Sequence, residues 1–128
     1  MIYTGHYANR TIDTGLCKIR ISVSTPKEYK YDDEWLTVAP DWYTLLKPYK
    51  EGLIDDAEYT RRYIGQLERQ KERILSEFRA LQEKHPNAIL LCWCRPGAFC
   101  HRKLLAGWLE KQTGTVIPEY GHETGTLF

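Results

Sequence analysis

The sequence predicts a single three-layer α/β domain, in which a small, mainly parallel sheet carries helices on both faces. Residues 88–92 form an apolar run with the length of a buried strand. The Pro-Gly pair at residues 96 and 97 breaks this run, and apolar residues at helical spacing follow it. A strand, a short loop and a helix in this order are typical of a parallel α/β sheet. The length of 128 residues is that of one domain, so we expect residues 1–128 to form it.

Composition and charge exclude several classes of protein. Hydrophobic residues make up 42% of the chain and charged residues 27%, as in ordinary globular proteins, and the formal net charge is +1. No block of like charge is present, which argues against strong, sequence-independent binding to duplex nucleic acid. No apolar segment reaches the roughly 18–20 residues of a membrane-spanning helix, and residues 1–6 lack a secretory pattern. We therefore expect a cytoplasmic protein with no membrane partner, whose four cysteines are reduced.

The first third of the chain contains two predicted strands and a long loop. A short strand at residues 2–4 ends at Gly5, and a loop follows it. Apolar and polar residues alternate with a period of two from Cys17 to Val23, which predicts a second strand with one buried face. Residues 26–40 form an aromatic loop of mixed charge, which we expect to be held to the domain by its own rings. The open alternative is a stacking platform for single-stranded nucleic acid.

The rest of the chain is predicted to be mainly helical. The predicted elements are a short helix at residues 41–52, a long helix at 55–84, the central strand at 88–92, a helix at 99–114 and an edge strand at 115–117. Gly65 lies inside the long helix and costs about 1 kcal/mol relative to alanine, which predicts a kink or a break there. Residues 119–128 are expected to form a polar tail.

Three loops are expected to converge at one edge of the sheet, because the carboxyl ends of parallel strands meet there and ligands bind beyond them. The candidate site residues, loop by loop, are His6, Asn9 and Arg10, then Ser22, then Cys94, Arg95, Cys100, His101 and Arg102. If the second strand instead paired antiparallel with the first as a hairpin, Ser22 would lie at the opposite edge.

The first interpretation of the third loop is an anion site that could also be catalytic. Unpaired N–H groups at the start of the helix attract a phosphate or carboxylate, and Arg102, with Arg95 or Arg10, would bind it. A thiol at a helix start has a lowered pKa, which makes Cys100 the candidate nucleophile. The candidate proton carriers are His101 and His6. The sequence therefore predicts a protein that binds, and in one version processes, a phosphorylated or anionic nucleotide-type ligand.

The second interpretation is a small zinc-binding domain. Cys92, Cys94, Cys100 and His101 are suitable zinc ligands. However, residues two apart on an extended strand have side-chain origins about 6.6 Å apart, whereas two sulfurs on one ion lie within roughly 4 Å. Adjacent Cys100 and His101 are also expected to point in different directions at a helix start. No metal and no cofactor are therefore predicted.

The third interpretation is a non-enzymatic nucleic-acid or protein interaction module in which the cysteine-rich loop is structural. The cysteines would fill the core, and Arg102 would pair with an internal carboxylate such as Asp13 or Glu119. The interaction surface would be an exposed aromatic patch built from Tyr29, Tyr31, Trp35 and Trp42. Whether the protein is an enzyme, and its oligomeric state, stay open at this point.

The same loop carries a resemblance to a known family. Residues 90–92 (Leu-Leu-Cys) followed by residues 100–102 (Cys-His-Arg) resemble the signature of the domain of unknown function 488 (DUF488) family. Residues 2–6 (Ile-Tyr-Thr-Gly-His), and shorter stretches between residues 36 and 59, are similar to other parts of that family. The resemblance spans most of the chain and implies a compact α/β domain, without a settled activity. Cys94 and the loop around it depart from the more usual family pattern.

Overall fold

The computed structural model of the chain describes residues 1–93 and 99–121. The strands are β1 (Ile2–His6), β2 (Cys17–Arg20), β3 (Asp33–Glu34) and β4 (Ala88–Cys92). The α-helices are α1 (Lys47–Lys50), α2 (Asp56–Arg69), α3 (Lys71–Lys84) and α4 (His101–Thr113). A 3₁₀ turn at Leu36–Val38 and a π-helical turn at Trp42–Leu46 precede α1. The described strands form one sheet in the order β1-β4-β2-β3, and all pairs are parallel, which confirms the predicted α/β class.

Strand β4 lies at the centre of the sheet, between β1 and β2. All five of its residues are buried, as expected for a strand of a parallel sheet that is covered on both faces. The register aligns His6 of β1 with Cys92 of β4, and Ile19 of β2 with Leu90. The carboxyl ends of β1 and β4 therefore lie side by side.

Strand β1 continues through Gly5, where the sequence predicts that it ends. A Cβ atom at this position would lie 2.6 Å from the Cδ1 atom of the buried Ile89. Glycine therefore leaves room for the Ile89 side chain and does not mark a turn, and the strand extends to His6.

One face of the sheet packs against the helices. The larger hydrophobic cluster contains Ala88, Leu90 and Cys92 of β4. The helical residues buried in the same cluster are Tyr59, Tyr63, Leu67, Ile74, Phe78, Leu105, Trp108 and Leu109. All three long helices thus place their buried apolar side chains in this one layer.

The other face of the sheet is covered by loops, which corrects the prediction of helices on both faces. A second cluster combines Ile89 and Leu91 of β4 with Tyr7 and Ile12 from the loop after β1. The partly buried residues packed against it, Tyr3, Leu16, Tyr29 and Tyr120, also lie outside the helices. Large aromatic side chains provide enough apolar surface here without a helix.

The predicted helix at residues 55–84 is two helices that meet at Gln70. Gln70 has a non-helical conformation, with φ −120° and ψ 22°. The predicted break at Gly65 is wrong, because Gly65 lies within α2. The cost of about 1 kcal/mol for a helical glycine is small beside the burial of Tyr63 and Leu67 on either side of it.

The predicted edge strand at residues 115–117 is not a strand. Pairing with β1 occurs just after it, where the backbone N–H of Thr4 donates to the carbonyl of Pro118 (2.9 Å). The backbone N–H of Tyr120 donates in turn to the carbonyl of Thr4 (2.7 Å). The start of the predicted polar tail is therefore fixed to the sheet; residues 122–128 of that tail lie outside the described residues.

The aromatic loop at residues 26–40 is held by its own rings, as predicted. Trp35 is buried, stacks on Phe78 with ring centroids 5.9 Å apart, and donates from Nε1 to Glu77. Tyr29 packs edge-on against Tyr7. The exposed aromatic patch proposed for an interaction module therefore does not form as predicted.

No helix in the described ranges is both long enough and apolar enough to cross a bilayer.

Candidate functional site

The parallel strands bring the loops after β1 and β2 to the edge of the sheet where β4 ends. The backbone N–H of Tyr7, just after β1, donates to the carbonyl of Cys92 (3.1 Å). The N–H of Ile21, just after β2, donates to the carbonyl of Leu91 (3.2 Å). The alternative of a β1–β2 hairpin is excluded, because β4 lies between these two strands.

Two cysteines and a histidine form a buried cluster where β4 faces the start of α4. The Sγ atoms of Cys92 and Cys100 lie 2.8 Å apart. The Nδ1 atom of His101 lies 3.9 Å from the Cys100 sulfur. All three residues are buried, and their ligand-type atoms lie within 4.8 Å of one another. We refer to Cys92, Cys100 and His101 as the Cys-Cys-His cluster.

The prediction that Cys100 and His101 point in different directions is wrong. Cys100 precedes the first helical residue and has extended backbone angles, φ −155° and ψ 145°. His101 is already helical. This change of backbone direction between neighbours lets both side chains reach the same place.

The hydrogen bonds of His101 determine its tautomer. Its Nε2 atom lies 3.0 Å from the backbone carbonyl of Ile21, which can only accept, so Nε2 carries the proton. Nδ1 therefore has the free electron pair, and it faces Cys100. Burial lowers the pKa of His101 to about 4, against a smaller opposing effect of the Ile21 hydrogen bond, so the ring is neutral at pH 7.

Arg102 lies next to the cluster and is engaged by a carboxylate of the same chain. Its side chain is 0% exposed, and it donates from Nε and NH2 to the two oxygens of Glu119 at 3.0 and 2.9 Å. NH1 donates to the sulfur of Cys92 at 3.0 Å. Burial opposes the charged form, but the hydrogen bonds to Glu119 and Cys92 outweigh it and raise the pKa of Arg102 above its usual value.

This environment corrects the predicted role of Arg102 as the residue that binds an external anion. A guanidinium that is fully buried and bidentate to Glu119 has no open side toward solvent. Glu119 also accepts a hydrogen bond from the hydroxyl of Thr4 (2.7 Å) and thereby connects α4 to β1. The geometry corresponds to the internal-carboxylate alternative, with Glu119 and not Asp13 as the partner.

A cavity of about 550 Å³ lies on the loop-covered face of the sheet. Its lining includes three aromatic and three polar or cationic side chains: Tyr7, Tyr29, Trp93, Asn9, Arg10 and Lys18. We call it the aromatic cavity. The Tyr7 ring packs edge-on against Tyr29 and Trp93, with centroid distances of 4.8 and 5.7 Å. The Nζ atom of Lys18 lies 5.8 Å from the centre of the Tyr29 ring.

Tyr7 and Trp93 are fixed by hydrogen bonds at this cavity. The hydroxyl of Tyr7 lies 2.5 Å from that of Ser22, which itself lies 2.6 Å from the carbonyl of Ser24. Burial raises the pKa of Tyr7 to about 12, although the Ser22 hydrogen bond opposes this, so the phenol is neutral at pH 7. The Nε1 atom of Trp93 donates to the carbonyl of Ser24 (2.7 Å). Both rings are thus held in defined positions.

The predicted site residues separate onto the two faces of the sheet. Cys100, His101 and Arg102 lie on the helix side of the sheet. His6, the last residue of β1, is aligned with Cys92, the last residue of β4. Ser22 supports Tyr7, and Arg10 lines the aromatic cavity.

The remaining predicted site residues are Asn9, Cys94 and Arg95. Asn9 lines the aromatic cavity, and its side-chain oxygen is already engaged, because it accepts from the backbone N–H and the hydroxyl of Thr11. The predictions for Cys94 and Arg95 lie outside the described residues.

Several residues of these sites were not predicted from sequence. Tyr7 and Lys18 lie far from the cysteine-rich loop in sequence, and nothing in their local pattern indicates a shared cavity. The sequence assigns Tyr29 to an exposed aromatic patch, not to this cavity. Thr4 is in the middle of an apolar strand, which is the one local signal that it has a polar partner.

Comparison with known proteins gives one result. The family model described as DUF488-N3a, the active DUF488-N3 subclade, matches residues 5–113. No curated protein and no solved structure matches the chain. The matched range includes the Cys-Cys-His cluster, Arg102 and all the residues that line the aromatic cavity.

Proposed function

The chain belongs to the DUF488 family, and we propose that it binds a small anionic ligand of nucleotide type in the aromatic cavity. The observation that carries the proposal is the combination of three aromatic rings with the cations of Arg10 and Lys18 around a space of about 550 Å³. Ligand pockets for small molecules have volumes of this order and are formed by apolar walls with a few polar groups.

The rings suit the base of a nucleotide. Tyr7 is buried and fixed, whereas Trp93 is half-exposed, so the indole can contact a ligand that enters from solvent. A flat base can stack on an aromatic ring, and such stacking is worth about 1–3 kcal/mol per base.

The cations suit the phosphate. Arg10 is exposed, and no ion pair joins it to a carboxylate within the described ranges. Lys18 interacts with the Tyr29 ring, and its backbone N–H holds the nearby Asp32 carboxylate. The net charge of +1 for the whole chain is compatible with one phosphate held by two residues, and not with a long nucleic-acid footprint.

A larger cavity of about 730 Å³ fits such a ligand less well. It is lined by residues of both charge signs, including Glu34, Asp41, Arg69 and Arg73, and by no aromatic ring. It also lies beside the edge strand β3, away from the carboxyl ends of the central strands where α/β sheets bind their ligands.

Chemical processing of the ligand by Cys100 is not part of the proposal. The Cys100 side chain is buried on the helix side of the sheet, whereas the aromatic cavity lies on the opposite face. A cytoplasmic location is part of the proposal, because a reducing compartment keeps the thiols of the cluster reduced.

The test is a binding titration with mononucleotides, read by calorimetry and by the fluorescence of Trp93. We expect adenosine monophosphate or another nucleoside monophosphate to bind. The Arg10→Gln substitution should weaken this binding by about tenfold or more, which corresponds to about 1.4 kcal/mol of binding free energy. Trp93→Phe should remove the fluorescence response. Lys103→Gln is the matched control, since Lys103 is an exposed cation on α4, and it should leave the affinity unchanged.

Absence of binding by all four common mononucleotides at millimolar concentration would refute the proposal. Much tighter binding of a single-stranded oligonucleotide than of any mononucleotide would favour the nucleic-acid alternative instead.

A further inference from the structure

We propose that Cys92, Cys100 and His101 bind one thiophilic divalent cation, with zinc as the expected metal. This site is separate from the aromatic cavity and does not depend on the function proposed for it. Two thiolates and one imidazole are a ligand set that zinc uses in proteins.

The three donor atoms already lie close together. The sulfur of Cys100 lies 3.9 Å from Nδ1 of His101, and the three donor atoms lie within 4.8 Å of one another. With Zn–S bonds of about 2.3 Å and tetrahedral angles, two sulfurs on one ion lie about 3.8 Å apart. The sulfurs of Cys92 and Cys100, now 2.8 Å apart, would move apart by about 1 Å to admit the ion.

The histidine has the tautomer that a metal ligand needs. Nε2 donates to the carbonyl of Ile21, so Nδ1 has the electron pair; Nδ1 lies 3.9 Å from the Cys100 sulfur, and the Cys92 sulfur is within 4.8 Å. Metal-bound histidines typically donate their other ring N–H to a carbonyl or carboxylate in this way, which fixes the ring and increases its basicity.

The surrounding charges suit two thiolates with a divalent ion. A zinc ion with two thiolates and a neutral imidazole has no net charge, and the adjacent Arg102–Glu119 pair has none either. The N–H of Arg102 that points to the Cys92 sulfur at 3.0 Å stabilises the thiolate form. The site is therefore electrically balanced with the metal bound.

The spacing argument against zinc does not apply to this set of ligands. It concerned Cys92 and Cys94, which are two residues apart, whereas the observed pair is Cys92, the last residue of β4, and Cys100, the residue directly before α4. Zinc in proteins is usually held by four ligands. Within the described residues the cluster supplies three, so one coordination position is left for a further ligand.

The experiment measures metal content and cobalt spectra of the full chain. The protein is purified under reducing conditions without chelators, and zinc per chain is determined by plasma mass spectrometry. We expect about one equivalent. Replacement by Co²⁺ should give thiolate-to-cobalt charge-transfer bands and the intense visible bands of a tetrahedral site.

Variants identify the ligands. Cys100→Ser and His101→Gln should each weaken zinc binding by about 100-fold or more, measured in competition with a chromophoric chelator. Cys17→Ser is the matched control, because Cys17 is a partly buried cysteine on β2 outside the cluster. It should bind zinc like the wild type.

Three outcomes would overturn the proposal. The first is a folded wild-type protein, verified by circular dichroism, that binds neither zinc nor cobalt at micromolar concentration. The second is a Cys92–Cys100 disulfide in anaerobically purified protein, detected as a loss of two hydrogens by mass spectrometry. The third is a cobalt spectrum without thiolate charge transfer, which tests the site in the wild type even where a variant does not fold.

Discussion

At the scale of single residues, the main feature of this protein is the buried Arg102–Glu119 pair. A guanidinium that is removed from water is stable only with its charge compensated, and Glu119 does this with two hydrogen bonds. The same carboxylate binds the hydroxyl of Thr4, so α4 and β1 are connected through one side chain. The pair therefore supports the geometry of the Cys-Cys-His cluster beside it.

Glu119→Gln should destabilise the protein strongly. The substitution leaves the charge of Arg102 in a buried position without an anionic partner, and we expect a loss of about 2–4 kcal/mol in the free energy of unfolding. The measurement is urea denaturation at pH 7. Glu51→Gln is the control, because the Lys47–Glu51 pair is about half exposed and should change stability by less than about 0.5 kcal/mol. Equal effects of the two substitutions would show that Arg102 does not depend on Glu119.

At the scale of elements, Asp33 connects the edge strand β3 to the end of α3. One of its carboxylate oxygens lies 3.0 Å from Nε2 of His85 and 3.4 Å from Nζ of Lys84. Burial opposes ionisation, but the hydrogen bonds from His85, from the backbone N–H of Glu34 and from Lys84 outweigh it and lower the pKa of Asp33. The carboxylate form is thus favoured in the folded state.

Asp33→Asn should reduce stability at neutral pH and much less in acid. A carboxyl whose pKa is lowered by folding contributes stability above its unfolded pKa, and this contribution is lost as the pH falls through the folded pKa. Because the Asp33 side chain is 35% exposed, we expect a loss of about 0.5–1 kcal/mol at pH 7. The difference should become smaller as the pH falls below about 4. Denaturation of both proteins at pH 7 and pH 3 checks this, with the exposed Glu83→Gln on α3 as the control.

At the scale of the whole molecule, one hydrophobic cluster joins the sheet to all the long helices. Leu90 of the central strand is in this cluster, together with Tyr63 of α2, Phe78 of α3 and Leu105 of α4. Elements that share a core in this way are expected to unfold together.

We therefore expect a single cooperative unfolding transition. Leu90→Ala should lower the free energy of unfolding by about 2–5 kcal/mol and shift the circular dichroism and tryptophan fluorescence curves equally. Leu53→Ala, at a residue that is 73% exposed, is the control and should shift neither. Circular dichroism and fluorescence midpoints that separate in Leu90→Ala would indicate that the chain folds as more than one unit.

The sequence by itself determined the features that arise within a few residues of the chain. The apolar run of β4 predicted a buried strand, and all five of its residues are buried. The predicted helix start at residue 55 coincides with the N-cap of α2, Asp55, whose side chain accepts from the N–H of Glu58 at 2.8 Å. The predicted helix end at residue 114 coincides with the C-cap of α4, Gly114, which adopts φ 76°. These signals are reliable because the backbone angles and the hydrogen bonds involved are local.

Only the tertiary structure decided which distant residues meet. The sequence left open whether β1 pairs with β2 or with β4. The alternation of apolar and polar residues along a strand indicates which of its side chains are buried, but not which other strand lies beside it. The partner of Arg102 is 17 residues away, and the second sulfur of the Cys-Cys-His cluster is 8 residues from the first. Which face of the sheet is covered by helices and which by loops also depends on how apolar surfaces far apart in the chain pack together. The hydrophobic effect is non-directional, so it does not specify which apolar surface covers which face.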